Sequence, residues 1–112
     1  MKHLLTLAAS FLLALAAAPA DAADIWHVST IKYIYPQANG TIVLAFATDS
    51  ASCTSTATPD YYTIAVGQNG VTAEALKHML AVALSAFALE KQVSINFSDT
   101  TTACYINRLL VE

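Results

Sequence analysis

The stretch "HMLAVALSAFAL", His78 to Leu89, decides the fold, because it reads as a membrane span, a core helix or a face for another protein. Met79 to Leu89 carries no charge, but a span needs about 20 apolar residues. Lys77 and Lys91 bracket this run too closely for that. It reads as a core helix. Thr72 supplies a hydroxyl that can cap its first free backbone N–H groups, and Glu74 sits in the first turn. At about 100° per residue, Leu76, Leu80, Ala83, Leu84 and Phe87 form one stripe, the expected core face. Glu74, His78 and Ser85 mark the opposite side. Met79, Val82, Ala86 and Leu89 widen the apolar arc beyond what one sheet covers, so a second face needs burying. Either loops fold over that face, or Met79, Val82 and Leu89 form a subunit contact.

Strands flank the helix on both sides. Ile25 to Tyr35 is rich in β-branched and aromatic residues, with Ile31, Tyr33 and Tyr35 set against Lys32 and Ile34. The Asn39-Gly40 pair that follows is a strong hairpin signal. Thr41 to Ala47 alternates, with Ile42, Leu44 and Phe46 on the heavier side. Asp49 to Asp60 is small, polar and without period, a loop. Tyr61 to Val66 reads as a third strand, and Val93, Ile95 and Phe97 mark a fourth. Tyr105 to Val111 closes the chain as a fifth, with Ile106 and Leu110 on one side and Leu109 and Val111 on the other.

The order strand, strand, strand, helix, strand, strand predicts a mostly β fold. It is the order of the OB-fold, a five-stranded antiparallel, partly open barrel with its helix between strands 3 and 4. Ligands of such barrels commonly sit near the first hairpin loop and the loop before the last strand, here Pro36 to Gly40 and Ser98 to Ala103.

The start of the chain, MKHLLTLAASFLLALAAAPADAAD, has a basic tip, an apolar run from Leu4 to Ala18 and small residues at Ala20 and Ala22. That layout predicts a secretory signal peptide over residues 1–22 and a single domain over 23–112, secreted or periplasmic. Cys53 and Cys104 then read as a disulfide in an oxidising compartment, two free buried thiols being the rival reading. The remaining chain holds four cations (Lys32, Lys77, Lys91, Arg108) against seven carboxylates (Asp24, Asp49, Asp60, Glu74, Glu90, Asp99, Glu112). Without a basic cluster, nucleic acid is an unsuitable partner. His27 and His78 lack ligand spacing, so neither a metal site nor any other cofactor is expected. No nucleophile–base motif is recognisable, and the chain reads as non-enzymatic.

The strand "STIKYIY", the helix "AEALKHMLAVALSAFALEKQ" running into "VSINF", and the closing "CYINRLLVE" together resemble bacterial pentameric toxin B subunits of the subtilase cytotoxin and typhoid toxin type. The chain is also similar to small uncharacterised exported bacterial proteins with the same cysteine pair and a "YY" third strand. The toxin resemblance implies a homo-pentameric ring with helices toward the axis, a catalytic A subunit as partner, and a host glycan as ligand. In that family a serine just before the first strand grips the sugar carboxylate. The matching neighbourhood is Trp26, His27 and Ser29, with His27 at the serine's place, and the fourth-strand aromatic falls at Asn96 or Phe97. The alternative function is a monomeric periplasmic or secreted protein-interaction or inhibitor-like module.

Overall fold

The structure, a computed structural model, describes residues 25–112. The expected signal peptide, residues 1–22, lies outside the described residues. The elements in chain order are β1 (Ile25–Pro36), β2 (Ile42–Phe46), β3 (Tyr62–Ile64), α1 (Ala73–Ala88), β4 (Gln92–Phe97) and β5 (Ile106–Val111). The strands form one antiparallel sheet in the order β3-β2-β1-β4-β5.

β1 is long enough to serve both halves of this sheet. Its first part pairs with β4, Ile25 opposite Phe97 through Thr30 opposite Gln92. Its second part pairs with β2, Ile31 opposite Phe46 through Pro36 opposite Ile42. The pairing slips between Ile31 and Tyr33, where Lys32 is an extra residue. Such a bulge increases local twist and flips the side-chain alternation. Ile31 and Ile34 therefore face inward, while Tyr33 and Tyr35 are turned to solvent, a correction to the alternation expected from sequence. A second slip, beside Asn96 and Phe97, does the same to β5. Asn107 is the extra residue there, so Ile106, Leu109 and Val111 share the inner side and Leu110 is exposed.

The hairpin after β1 forms where the Asn-Gly pair placed it. Gly40 has φ +88°, which a side chain would strain. The Gln37 N–H donates to the Thr41 carbonyl at 2.8 Å, and Thr41 N–H donates to Asn39 Oδ1 at 3.1 Å. At the sheet's other margin, β3 and β5 approach each other. Thr63 N–H donates to the Ala103 carbonyl at 3.1 Å, and Asn69 Nδ2 to the Tyr105 carbonyl at 2.8 Å. Cys53 and Cys104 are joined as a disulfide, with Cα atoms 5.7 Å apart, tying the β2–β3 loop to the entrance of β5.

Helix α1 begins as its sequence dictates, with Thr72 Oγ1 accepting from the Ala75 N–H at 3.1 Å and Glu74 in the first turn. It ends in a Schellman closure, where Glu90 N–H donates to the Phe87 carbonyl and Lys91 N–H to the Ala86 carbonyl. No helix among the described residues is long and apolar enough to cross a membrane. The helix packs on β1, β4 and β5.

Its rotation differs from the expected one. Met79, Ala83 and Ala86 are the buried positions, with Ala75, Leu76 and Leu80 partly buried beside them. Leu84 and Phe87, expected in the core, are 49% and 45% exposed. The physical reason is close approach. Ala83 and Ala86, almost completely buried, let the helix meet the sheet through small side chains, with Met79 filling the core beside them. Met79, grouped by sequence with the subunit contact, is instead 9% exposed and belongs to the core cluster. Val82 and Leu89 do lie outside it, exposed on one flank of the helix.

The inner face of the sheet centres on Tyr62. Phe46 and Phe97 meet its ring edge-on at 5.1 and 5.2 Å, and His27 stacks on it at 6.0 Å with the planes 4° apart. The Tyr62 hydroxyl accepts the Ser50 N–H at 2.8 Å. Burial of this ring pushes its phenol pKa up to about 12, the hydrogen bond from Ser50 acting against that rise.

Candidate functional site

The expected ligand residues divide between the two faces of the sheet. His27, Ser29 and Phe97 point to the inner side. The His27 Nε2–H donates to the Thr48 carbonyl at 2.7 Å, and its ring packs on Phe46 and Tyr62. Ser29 Oγ accepts the Thr48 N–H at 3.1 Å and lies 3.0 Å from the Thr48 hydroxyl. Phe97 is completely buried. His27 and Ser29 hold β1 to the chain after β2, Phe97 packs on Tyr62 in the core, and none of the three lies where a ligand on the outer face would touch it.

Trp26 and Asn96 do come together, on the outer face. They are cross-strand partners, and Arg108 of β5 is the partner of Asn96 on its other side. The Arg108 guanidinium lies 6.0 Å from the centre of the Trp26 ring, so cation and indole bridge over β4. Asn96 beneath them is only 2% exposed. One row along, Val28, Ser94 and Leu110 repeat the pattern, a small buried polar residue between two half-exposed apolar ones. This half of the outer face is a ridge already closed on itself.

The other half, over β1, β2 and β3, carries a feature that sequence alternation concealed. Tyr33 and Tyr35, turned outward by the Lys32 bulge, stack with ring centres 5.6 Å apart and planes 11° from parallel. Tyr61, immediately before β3, meets Tyr35 edge-on at 5.6 Å. All three rings are 38–39% exposed. The outward side chains of β2 between these tyrosines, Val43 and Ala45, are buried. The Lys32 ammonium lies 5.6 Å from the Tyr33 ring centre. The Tyr35 phenol is raised above its ordinary pKa, chiefly by desolvation and next by the neighbouring Tyr61 side chain.

Two loops border this tyrosine platform. The β1–β2 hairpin leaves directly from Tyr35 and Pro36. The loop before β5 is fastened to β3 through Thr63 and Ala103 and to the β2–β3 loop through the disulfide. Next to Tyr61 stands Asp60, whose N–H donates to Asp49 Oδ1 at 3.1 Å. The Asp60 carboxyl is raised above the usual range by desolvation and by the nearby charge of Asp49. Among the described residues the neighbourhood thus holds two carboxylates and one ammonium.

The tyrosines were missed as site residues because strict alternation puts Tyr33 and Tyr35 on the same side as Ile31. The available signal was composition: three tyrosines at the ends of two strands that pair with the same β2.

On the helix, Ala81, Val82, Ser85, Ala86 and Leu89 line a shallow groove of about 370 Å³ with Val111 of β5. Among the described residues no group of three His, Cys, Asp or Glu is placed to hold a metal ion. Comparison with protein-family models, curated proteins and solved structures finds no match for this chain.

Proposed function

We propose that this chain is an exported, non-enzymatic binding subunit built on an OB-type barrel, with a glycan held on its outer face. The observation that carries the reading is the tyrosine platform of Tyr33, Tyr35 and Tyr61. Exposed aromatic rings packed against one another are already ordered, so a ligand loses little of its binding energy to immobilising them. A pyranose presents a face of C–H bonds that stacks on such rings and a rim of hydroxyls that phenols can hydrogen-bond.

The barrel assignment is supported by the strand order, by a long bulged β1 shared between both halves of the sheet, and by the approach of β3 to β5. OB-folds take oligosaccharides across the strand 2–3 face, between the first hairpin loop and the loop before the last strand. Those are the boundaries of the platform. Export is supported by the Cys53–Cys104 disulfide, which persists in oxidising compartments.

A ring assembly, with a catalytic subunit as partner, is the remaining part of the proposal. It is supported by the apolar side chains that α1 leaves uncovered, Val82, Leu84, Phe87 and Leu89. The combined test is a glycan microarray probed with the purified protein and with Tyr35→Ala, alongside light scattering of the same samples. Specific glycan signals lost in the variant and a particle of several subunits support the reading. A monomer at high concentration removes the ring, and an array without signals removes the glycan.

A further inference from the structure

The glycan-binding reading, on which this inference rests, leaves open what kind of sugar the platform takes. Acidic sugars carry a carboxylate or sulfate, and they need a cation at a fixed place, commonly an Arg fork or a Lys point charge. The cations are distributed against that. Arg108 is on the other half of the outer face, engaged with Trp26 and donating from Nε to Asn107 Oδ1 at 3.1 Å. Lys77 and Lys91 belong to the helix and its C-terminal closure. Among the described residues only Lys32 is at the platform, and its ammonium lies over the Tyr33 ring.

The border of the platform is acidic instead. Asp60 precedes Tyr61 in the chain, and its backbone N–H is held by the Asp49 carboxylate at 3.1 Å. The phenols add no positive charge. A negatively charged ligand there would meet two like charges and one ammonium already facing an aromatic ring.

From these charges and rings we infer that the platform selects an uncharged pyranose, stacked on Tyr35 and flanked by Tyr33 and Tyr61, and discriminates against acidic sugars. The rings recognise its apolar face. The hydroxyls of Tyr35 and Tyr61, whose rings meet edge-on, present hydrogen-bonding capacity to its rim. Specificity against a charge comes from the repulsive Asp49–Asp60 pair as much as from the attractive rings.

The experiment is isothermal titration of the disulfide-bonded protein with methyl β-galactoside, methyl β-glucoside, methyl α-mannoside and 3′-sialyllactose, at low and at moderate salt. At least one neutral glycoside should bind, with sialyllactose weaker. Tyr35→Ala should weaken the neutral ligand about tenfold, as expected for losing an aromatic stacking partner, and Tyr35→Phe should retain most of the affinity. Thermal unfolding of both variants, with midpoints near that of the parent, shows that the platform rather than the fold has changed. Asp60→Asn should narrow the gap between sialyllactose and the neutral sugars, and added salt should narrow it too. Sialyllactose binding at least as tightly as every neutral glycoside overturns the inference and leaves the glycan reading intact. Binding that is equally strong in Tyr35→Ala overturns the placement. Absence of binding by all four sugars overturns both this inference and the reading beneath it.

Discussion

Truncating Met79 and Leu84 separately to alanine tests the rotation of α1, because an evenly spaced helical wheel and the structure rank these two side chains oppositely. Met79 is 9% exposed and sits in the core cluster, whereas Leu84 is 49% exposed. Removing a buried Met leaves a cavity as well as losing burial, and costs about 2–5 kcal/mol. A Leu that is only half buried forfeits about half of the roughly 1.5–3 kcal/mol of full burial, about 1 kcal/mol. For a domain of this size the urea slope is about 1 kcal/mol per molar. Met79→Ala should therefore lower the urea midpoint by about 2 M or more, and Leu84→Ala by about 1 M or less. The assay is equilibrium unfolding by circular dichroism at several protein concentrations. Concentration matters because a cost that arises from a subunit contact grows as the oligomer is populated, while a core cost does not. A larger loss for Leu84→Ala than for Met79→Ala, independent of concentration, would refute the placement of the helix.

Further outcomes follow from local features. The disulfide closes a span of 51 residues, so reduction should cost about 4 kcal/mol on the chain-entropy account; intact mass after alkylation should show no free thiol until reductant is added. Glu90 holds φ +53° at the helix end, and Glu90→Gly should stabilise the domain by about 0.5–1 kcal/mol in thermal unfolding. Thr72→Ala removes the cap on Ala75 and should cost about 1 kcal/mol by the same measurement. Tyr62 is neutral and buried with a phenol raised to about 12. A raised folded-state value favours the protonated form, so its contribution to stability is complete below the ordinary phenol pKa near 10 and is lost as pH rises toward about 12. Ultraviolet titration should show Tyr62 as the last tyrosine to ionise, near pH 12 and together with unfolding.

What sequence made legible was whatever depends on a few adjacent residues. The Asn39-Gly40 hairpin, the Thr72 cap and the order of strands and helix each have a local chemical cause, whereas the cysteine pairing, across 51 residues, followed from there being two cysteines in a chain read as exported. Two kinds of information were not legible. Single-residue bulges at Lys32 and Asn107 leave no clear mark on composition, yet each inverts every outward side chain beyond it, and so Tyr33, Tyr35 and Leu110 were placed on the wrong side. The rotation of α1 is a tertiary choice between two apolar stripes, decided by how closely Ala83 and Ala86 let the helix approach the sheet. For the candidate site, Trp26 and Asn96 were found together, but His27, Ser29 and Phe97 turned out to serve the inner face. The tyrosines emerged only once the bulge was known.

The central claim is that the ligand face is the tyrosine platform over β1, β2 and β3. Amide chemical-shift mapping in a two-dimensional nitrogen–proton NMR titration, using a neutral methyl glycoside that binds, locates the ligand directly. The account predicts shifts clustered at Tyr33, Tyr35, Tyr61 and Thr63 and in the loops 37–41 and 98–105. Shifts clustered instead at Trp26, Val28, Arg108 and Leu110, or an unchanged spectrum with every glycoside tried, would contradict it.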